Sequence, residues 1–145
     1  MRYILALLML IPAISLAQSI KMKEATRQSW AGGIAGMHGY RYHIELASEP
    51  GLEFTRMWAN GGSIEIKTED GSLRTNSNGK QTIYTINTNI SLGRINHPYT
   101  DQQHKEDADP PITYKGVALL AYKWQGKTRY YILKNAQELQ PLSYP

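Results

Sequence analysis

The stretch Pro111 to Leu133, PITYKGVALLAYKWQGKTRYYIL, sets the tightest constraint on what this chain can fold into. It holds two runs rich in β-branched and aromatic residues on either side of Gln125-Gly126, with Asp109-Pro110-Pro111 in front of the first. Two such runs about a two-residue corner spell a β-hairpin, the glycine supplying the positive φ that hairpin turns demand. Setting Trp124 opposite Lys127 places Leu120 against Tyr131, Leu119 against Ile132 and Ala118 against Leu133. Apolar residues then occupy both faces of the pair, so this hairpin is expected in the middle of a fold with everything else packed around it.

The beginning of the chain has a different character. Arg2 precedes an apolar run, Tyr3 to Leu10, which passes Pro12 and closes on Ser15-Leu16-Ala17. A short basic start, an apolar stretch and small residues at a cleavage spacing describe a secretory signal peptide over residues 1–17, which predicts export to a periplasmic or secreted location. The run falls short of the roughly 20 apolar residues that a spanning helix needs, so no membrane span is expected. Residues 18–145 suffice for a single β domain. The absence of cysteine rules out disulfides, leaving packing and strand pairing to supply stability. Of the 16 basic residues only Arg2 lies in the leader, and the rest, set against 12 acidic ones, are scattered singly. Nucleic acid is therefore not an expected partner, because phosphate-tracking proteins gather their charge along one face.

Period-two patterning supplies the other strands. A first strand ends near Ala31, glycines 32, 33, 36 and 39 mark a turn, and Tyr40, Tyr42, Ile44 and Leu46 then alternate with Arg41, His43 and Glu45. That alternation predicts an apolar face on the core and an Arg41/His43/Glu45 face in water. Asn60-Gly61 is a strong hairpin signal between Leu52–Ala59 and Ser63–Thr68. A two-residue turn there pairs Met57 with Ile64; a three-residue turn pairs Trp58 with Ile64 and gathers Phe54, Trp58, Ile64 and Ile66 on one face. The second is the expectation, since burying two aromatics and two isoleucines outweighs an exposed Arg56–Glu65 pair worth under about 1 kcal/mol. Leu73 to Lys80 reads as polar turns, Gln81 to Thr88 as a further strand, and residues 93–111 as one long irregular loop. Residues 135–145 read as an extended C-terminal tail lying against the domain. The architecture implied is all-β, a single antiparallel β-sandwich of about seven strands, with a small closed β-barrel as the alternative.

Gly116-Val117-Ala118-Leu119-Leu120, the run from Gly126-Lys127 to Tyr130-Tyr131, and the ending Leu139-x-Pro141-Leu142-x-Tyr144-Pro145 resemble small exported β-proteins of Bacteroidota. Trp30-Ala31-Gly32-Gly33 and Trp58-Ala59-Asn60-Gly61 add to the likeness. The resemblance implies an envelope location and a β fold, and it carries over no activity and no functional residue.

No constellation fixes a chemistry. There is no G-x-S-x-G elbow, and Ser63 and Ser72, which each follow a glycine, read as strand and turn residues. Glu45, Glu53 and Glu65 are the carboxylates that strands could bring together for glycoside hydrolysis. His97 and His104 bracket Asp101, but their spacing matches no zinc pattern, so neither metal nor cofactor is expected. Three tryptophans and ten tyrosines read mainly as packing residues, except for Tyr99, which follows Pro98 where an aromatic has no core to enter. The leading expectation is an exported non-catalytic binding or accessory protein for a protein or glycan partner. Its contacts would come from the long loop through His97, Tyr99, Asp101 and His104. A barrel holding a small ligand stands second and a hydrolase third.

Overall fold

The computed structural model describes residues 19–33, 36–94 and 109–145. They form β1 (Lys21–Ala31), β2 (Met37–Ser48), β3 (Glu53–Ala59), β4 (Gly62–Glu65), β5 (Leu73–Asn78), β6 (Gln81–Arg94), β7 (Ala118–Trp124), β8 (Lys127–Leu133), β9 (Gln137–Glu138) and β10 (Leu142–Ser143). One sheet runs β10-β1-β2-β6-β5 with β9 also on the outer edge of β1; the other runs β4-β3-β7-β8. The fold is all-β, a sandwich of two largely antiparallel sheets, and among the described residues neither sheet closes into a barrel. Residues 1–17, where a leader is expected, lie outside the described residues.

The core between the sheets follows from strand alternation. Tyr42, Ile44 and Leu46 of β2 and Tyr84, Ile86 and Ile90 of β6 point inward, meeting Phe54 and Met57 of β3 and Ala118, Leu120 and Tyr122 of β7. Ile44 lies directly across from Ile86, and both are wholly buried. Phe54 and Met57 both face inward despite an odd separation, because a bulge between Phe54 and Arg56 shifts the β3 register against β7. Tyr84 carries a polar atom into this core. Its hydroxyl donates to the Glu49 carbonyl at 2.8 Å and accepts from the Leu52 amide at 3.1 Å, so both flanks of the Pro50-Gly51 crossover between the sheets are held.

The β7–β8 hairpin has the register that its sequence predicts, from Ala118–Leu133 through Trp124–Lys127. Gln125 and Gly126 both take positive φ, 51° and 75°, as a turn matched to strand twist requires. Its position differs from expectation: β7 is interior, but β8 is the edge strand of the smaller sheet. The β3–β4 hairpin also differs. Asn60 and Gly61 take φ of 50° and 76°, making a two-residue turn that pairs Met57 with Ile64 and Trp58 with Ser63. Trp58 therefore faces away from the main core. It is still buried, at 8% exposure, because Leu119 and Ala121 of β7, with Tyr114 and Ile132, form a second apolar cluster on the outer face of this sheet.

Two further expectations are corrected. Leu73–Asn78 is a strand rather than a run of turns, paired with β6 from Leu73–Ile86 to Asn78–Gln81. Only Leu73 of it is buried, since β5 is an edge strand whose other residues meet water, and so it leaves no apolar period in the sequence. The strand before the expected loop continues to Arg94, which pairs with Met37, so Gly93 and Arg94 belong to β6, and residues 95–108 of that expectation lie outside the described residues. The tail is extended as expected, and it docks parallel to β1 through Thr26–Gln137 and Trp30–Leu142.

Tyr84→Phe should leave a buried amide and a part-buried carbonyl without their partner and lower stability by roughly 1–3 kcal/mol, against less than about 0.5 for Tyr130→Phe on the exposed face of β8. Urea midpoints of the two variants measure the difference, and equal midpoints would show that the crossover is not held by the hydroxyl.

Tyr42 makes the fold sensitive to alkali. Burial pushes its hydroxyl up to about 12, with neighbouring Arg27 pulling the other way, and Asn60 of the opposite sheet donates a hydrogen bond to it. Burial likewise raises Tyr122 and Tyr131. A folded pKa above the unfolded value means that this stabilisation is whole below about pH 10 and is lost as the pH climbs toward 12. The Tyr42 share is on the order of 2–3 kcal/mol. Urea midpoints between pH 9 and 12 should fall in the wild type and fall less steeply in Tyr42→Phe.

Candidate functional site

Strand alternation that fills the core also builds a polar outer face on the larger sheet. Across β1, β2 and β6 the outward residues form rows: Gln28, Arg41 and Asn89 in one, Thr26, His43 and Asn87 in the next, and Glu24, Glu45 and Thr85 in a third. A groove of about 380 Å³ runs over this face, lined by Gln28, Arg41, His43, Asn87 and Asn89, with Leu139 of the tail as one wall. It adjoins a hollow of about 160 Å³ bordered by Trp30, Gly32, Arg41, Asn89 and Tyr144.

The groove's side chains are held by one another. The Trp30 indole N–H donates to Asn89 Oδ1 at 2.7 Å. A Cβ at Gly39, opposite Trp30 on β2, would come 2.2 Å from the Ile90 carbonyl oxygen and 2.8 Å from the indole, so glycine both admits the β6 backbone and lets the ring rest on the strand. Gln28 donates through Nε2 to the Gln140 carbonyl at 2.8 Å, and the Arg41 guanidinium stacks 5.6 Å from the centre of the Tyr144 ring. His43 Nδ1 lies 2.7 Å from Asn87 Oδ1, and its Nε2 lies 3.5 Å from Glu45 Oε1. Among the described residues, Glu24, His43 and Glu45 are the group of side chains placed to share a metal ion.

The tail completes the site. The Leu139 amide donates to the Arg27 carbonyl at 2.8 Å and the Tyr144 amide to the Ala31 carbonyl at 2.9 Å. Arg27 Nε is 2.8 and 2.9 Å from the two Glu138 carboxylate oxygens, a contact that raises the guanidinium pKa further. Leu139 and Tyr144 are thereby fixed beside β1, and the free edge of that strand is covered.

His97, Tyr99, Asp101 and His104, the residues that sequence reasoning singles out, lie outside the described residues. Of the three strand glutamates, Glu45 belongs to the larger sheet, whereas Glu53 and Glu65 belong to the smaller one, with Glu65 across from Arg56 rather than Glu53. Glu65 contacts Lys67 at 2.8 Å, which holds its carboxyl below the ordinary range. Ser72 is a turn residue, its amide bonded to Asp70 and its hydroxyl to the Lys67 backbone. Compared with known proteins, the chain matches no family model, no curated protein and no solved structure.

The residues missed from sequence are Trp30, Gln28, Asn87, Asn89 and Tyr144. Arg41 and His43 carried a signal as outward positions of the cleanest alternating strand. Asn87 and Asn89 carried it too, alternating with Ile86, Thr88 and Ile90, but only the β2–β6 register sets them beside Arg41 and His43.

Gly39→Ala should crowd both the Ile90 carbonyl and the indole, destabilising the fold by roughly 1–3 kcal/mol and shifting tryptophan emission. Fluorescence spectra and denaturant melts check this, and an unchanged spectrum and midpoint would show that Trp30 does not depend on the gap at Gly39.

Proposed function

We propose that this chain is an exported, non-catalytic binding module that takes an extended glycan along the outer face of its larger sheet. The observation that carries the reading is Trp30: its indole rests on the β2 backbone at Gly39, its N–H is tied to Asn89, and it borders an open hollow. A fixed aromatic ring offers flat apolar area at little entropic cost, suited to the C–H face of a sugar ring. Around it, Gln28, Arg41, Asn87 and Asn89 supply amide and guanidinium groups that match sugar hydroxyls. A protein partner fits this face less well, because the centre of a protein interface is apolar and poor in exposed polar groups. The leader composition supports export.

The loop residues named from sequence remain part of the proposal. β6 pairs Arg94 with Met37 and Ser91 with Gly39, so the chain enters residues 95–108 from the end of the sheet that bears Trp30. Contacts from Tyr99 or His97 would extend the same surface.

Affinity electrophoresis against a panel of neutral and acidic polysaccharides tests the reading. The wild type should be retarded by at least one of them. Trp30→Ala should weaken that interaction at least about tenfold, equivalent to roughly 1.4 kcal/mol, and Tyr130→Ala on the other sheet should leave it unchanged. No retardation by any polysaccharide, or full retention by Trp30→Ala, would overturn it.

A further inference from the structure

A second arrangement sits at the opposite end of β1, roughly 20 Å along the strand from Trp30 at the usual rise per residue. β1 meets β2 through a bulge between Met22 and Glu24, and the shift sets Glu24 directly across from Glu45. Like charges at opposed positions of an antiparallel pair repel. Among the described residues no lysine or arginine forms an ion pair with either glutamate. The neighbour that both share is His43, the next outward residue of β2, whose Nε2 is 3.5 Å from Glu45 Oε1. One ligand atom from each of the three side chains falls within 4.8 Å of the others.

The histidine's other nitrogen decides what this cluster offers. Nδ1 lies 2.7 Å from Asn87 Oδ1, and an amide oxygen only accepts, so Nδ1 carries the hydrogen. In its neutral form the ring then presents a lone pair at Nε2. In that form two carboxylates and one imidazole lone pair converge with no donor among the three, an arrangement that a shared cation satisfies. Metal-bound histidines hold their other N–H against an oxygen in this manner, which fixes both the tautomer and the ring plane. The spacing also fits: ligands about 2.1 Å from a tetrahedral zinc ion lie roughly 3.4 Å apart, close to the Nε2–Oε1 separation. Glu24, exposed on its bulge, has the side-chain freedom to close the remaining gap.

We propose that Glu24, His43 and Glu45 bind a divalent transition-metal ion of the zinc class, with solvent completing its coordination and Asn87 positioning the imidazole. One nitrogen and two carboxylate oxygens suit zinc and its first-row neighbours. Calcium asks for six to eight oxygens and is a poor match. This site shares His43 and Asn87 with the groove but not Trp30, and it does not depend on the glycan reading.

The test is titration of the full chain with zinc alone, followed by competition with a chromophoric chelator and by the NMR signals of the His43 ring. One zinc per chain should bind, moving the His43 resonances, and calcium should not displace it. Glu24→Gln and Glu45→Gln, which keep side-chain shape, should each weaken binding at least about tenfold. Asn87→Ala should weaken it about 10- to 100-fold, whereas Asn87→Asp, which retains an acceptor for Nδ1–H, should hold zinc at least as tightly as the wild type. Trp30→Ala should bind zinc normally whatever becomes of glycan binding. Three results would overturn the proposal: no zinc uptake by the folded chain, uptake undiminished in the Glu24→Gln/Glu45→Gln double variant, or loss of uptake only in His97→Ala/His104→Ala.

Discussion

The rest of the structure depends on the burial of a single hydroxyl. Tyr84 stands between the two sheets near the end of β2, 1% exposed, with its ring edge-on to Phe54 at 5.4 Å. A phenol there must find partners for its oxygen, since an unpaired buried polar group costs about as much as several good apolar contacts provide. The partners are the Glu49 carbonyl and the Leu52 amide, on either side of the Pro50-Gly51 crossover. That requirement locks β6 in register with the end of β2 and, through the crossover, fixes where β3 starts in the opposite sheet. Phe54 then falls between Tyr84 and Tyr122, 5.7 Å from the latter, which brings β7 and its hairpin into place.

The outer face follows from that same register. Because side chains alternate, each inward residue of β2 and β6 that the core fixes determines an outward neighbour, and a slip by one position would exchange the two sets. With Ile44 across from Ile86, His43 must lie across from Asn87, and with Tyr42 across from Thr88, Arg41 must lie across from Asn89. The polar face therefore takes its register from the core, and the contacts among its own side chains then hold their orientations. What it adds locally is the gap at Gly39 for the indole and the docked tail, which covers the edge of β1 and walls the groove.

The alternation of residues 40–46, the β7–β8 register down to the pair, and the extended tail were all legible, because each is a local pattern whose turn or period is written in neighbouring residues. β5 was not legible: its outer residues face water and its pairing is satisfied by β6, so neither face needs an apolar period. The β3–β4 register was misread for an instructive reason. Burying Trp58 is indeed favourable, but Leu119 and Ala121 provide a second apolar cluster on the far side of the sheet, so the two-residue turn keeps both its geometry and the buried aromatic. Only the partner strand β7, remote in sequence, makes that possible.

The amino-acid sequence by itself determined that the chain is all-β, that its strongest hairpin turns at Gln125-Gly126, and that no disulfide holds it. These follow from composition and short-range periodicity, which act through bonded neighbours and single turns. Tertiary structure alone decided that β2 lies against β6, that a bulge sets Glu24 across from Glu45, and that the last ten residues return to flank Trp30. Those choices rest on which buried surfaces fit together across long stretches of chain. The outward residues that they assemble contribute little to the core, so no pattern in their own sequence announces that they will meet.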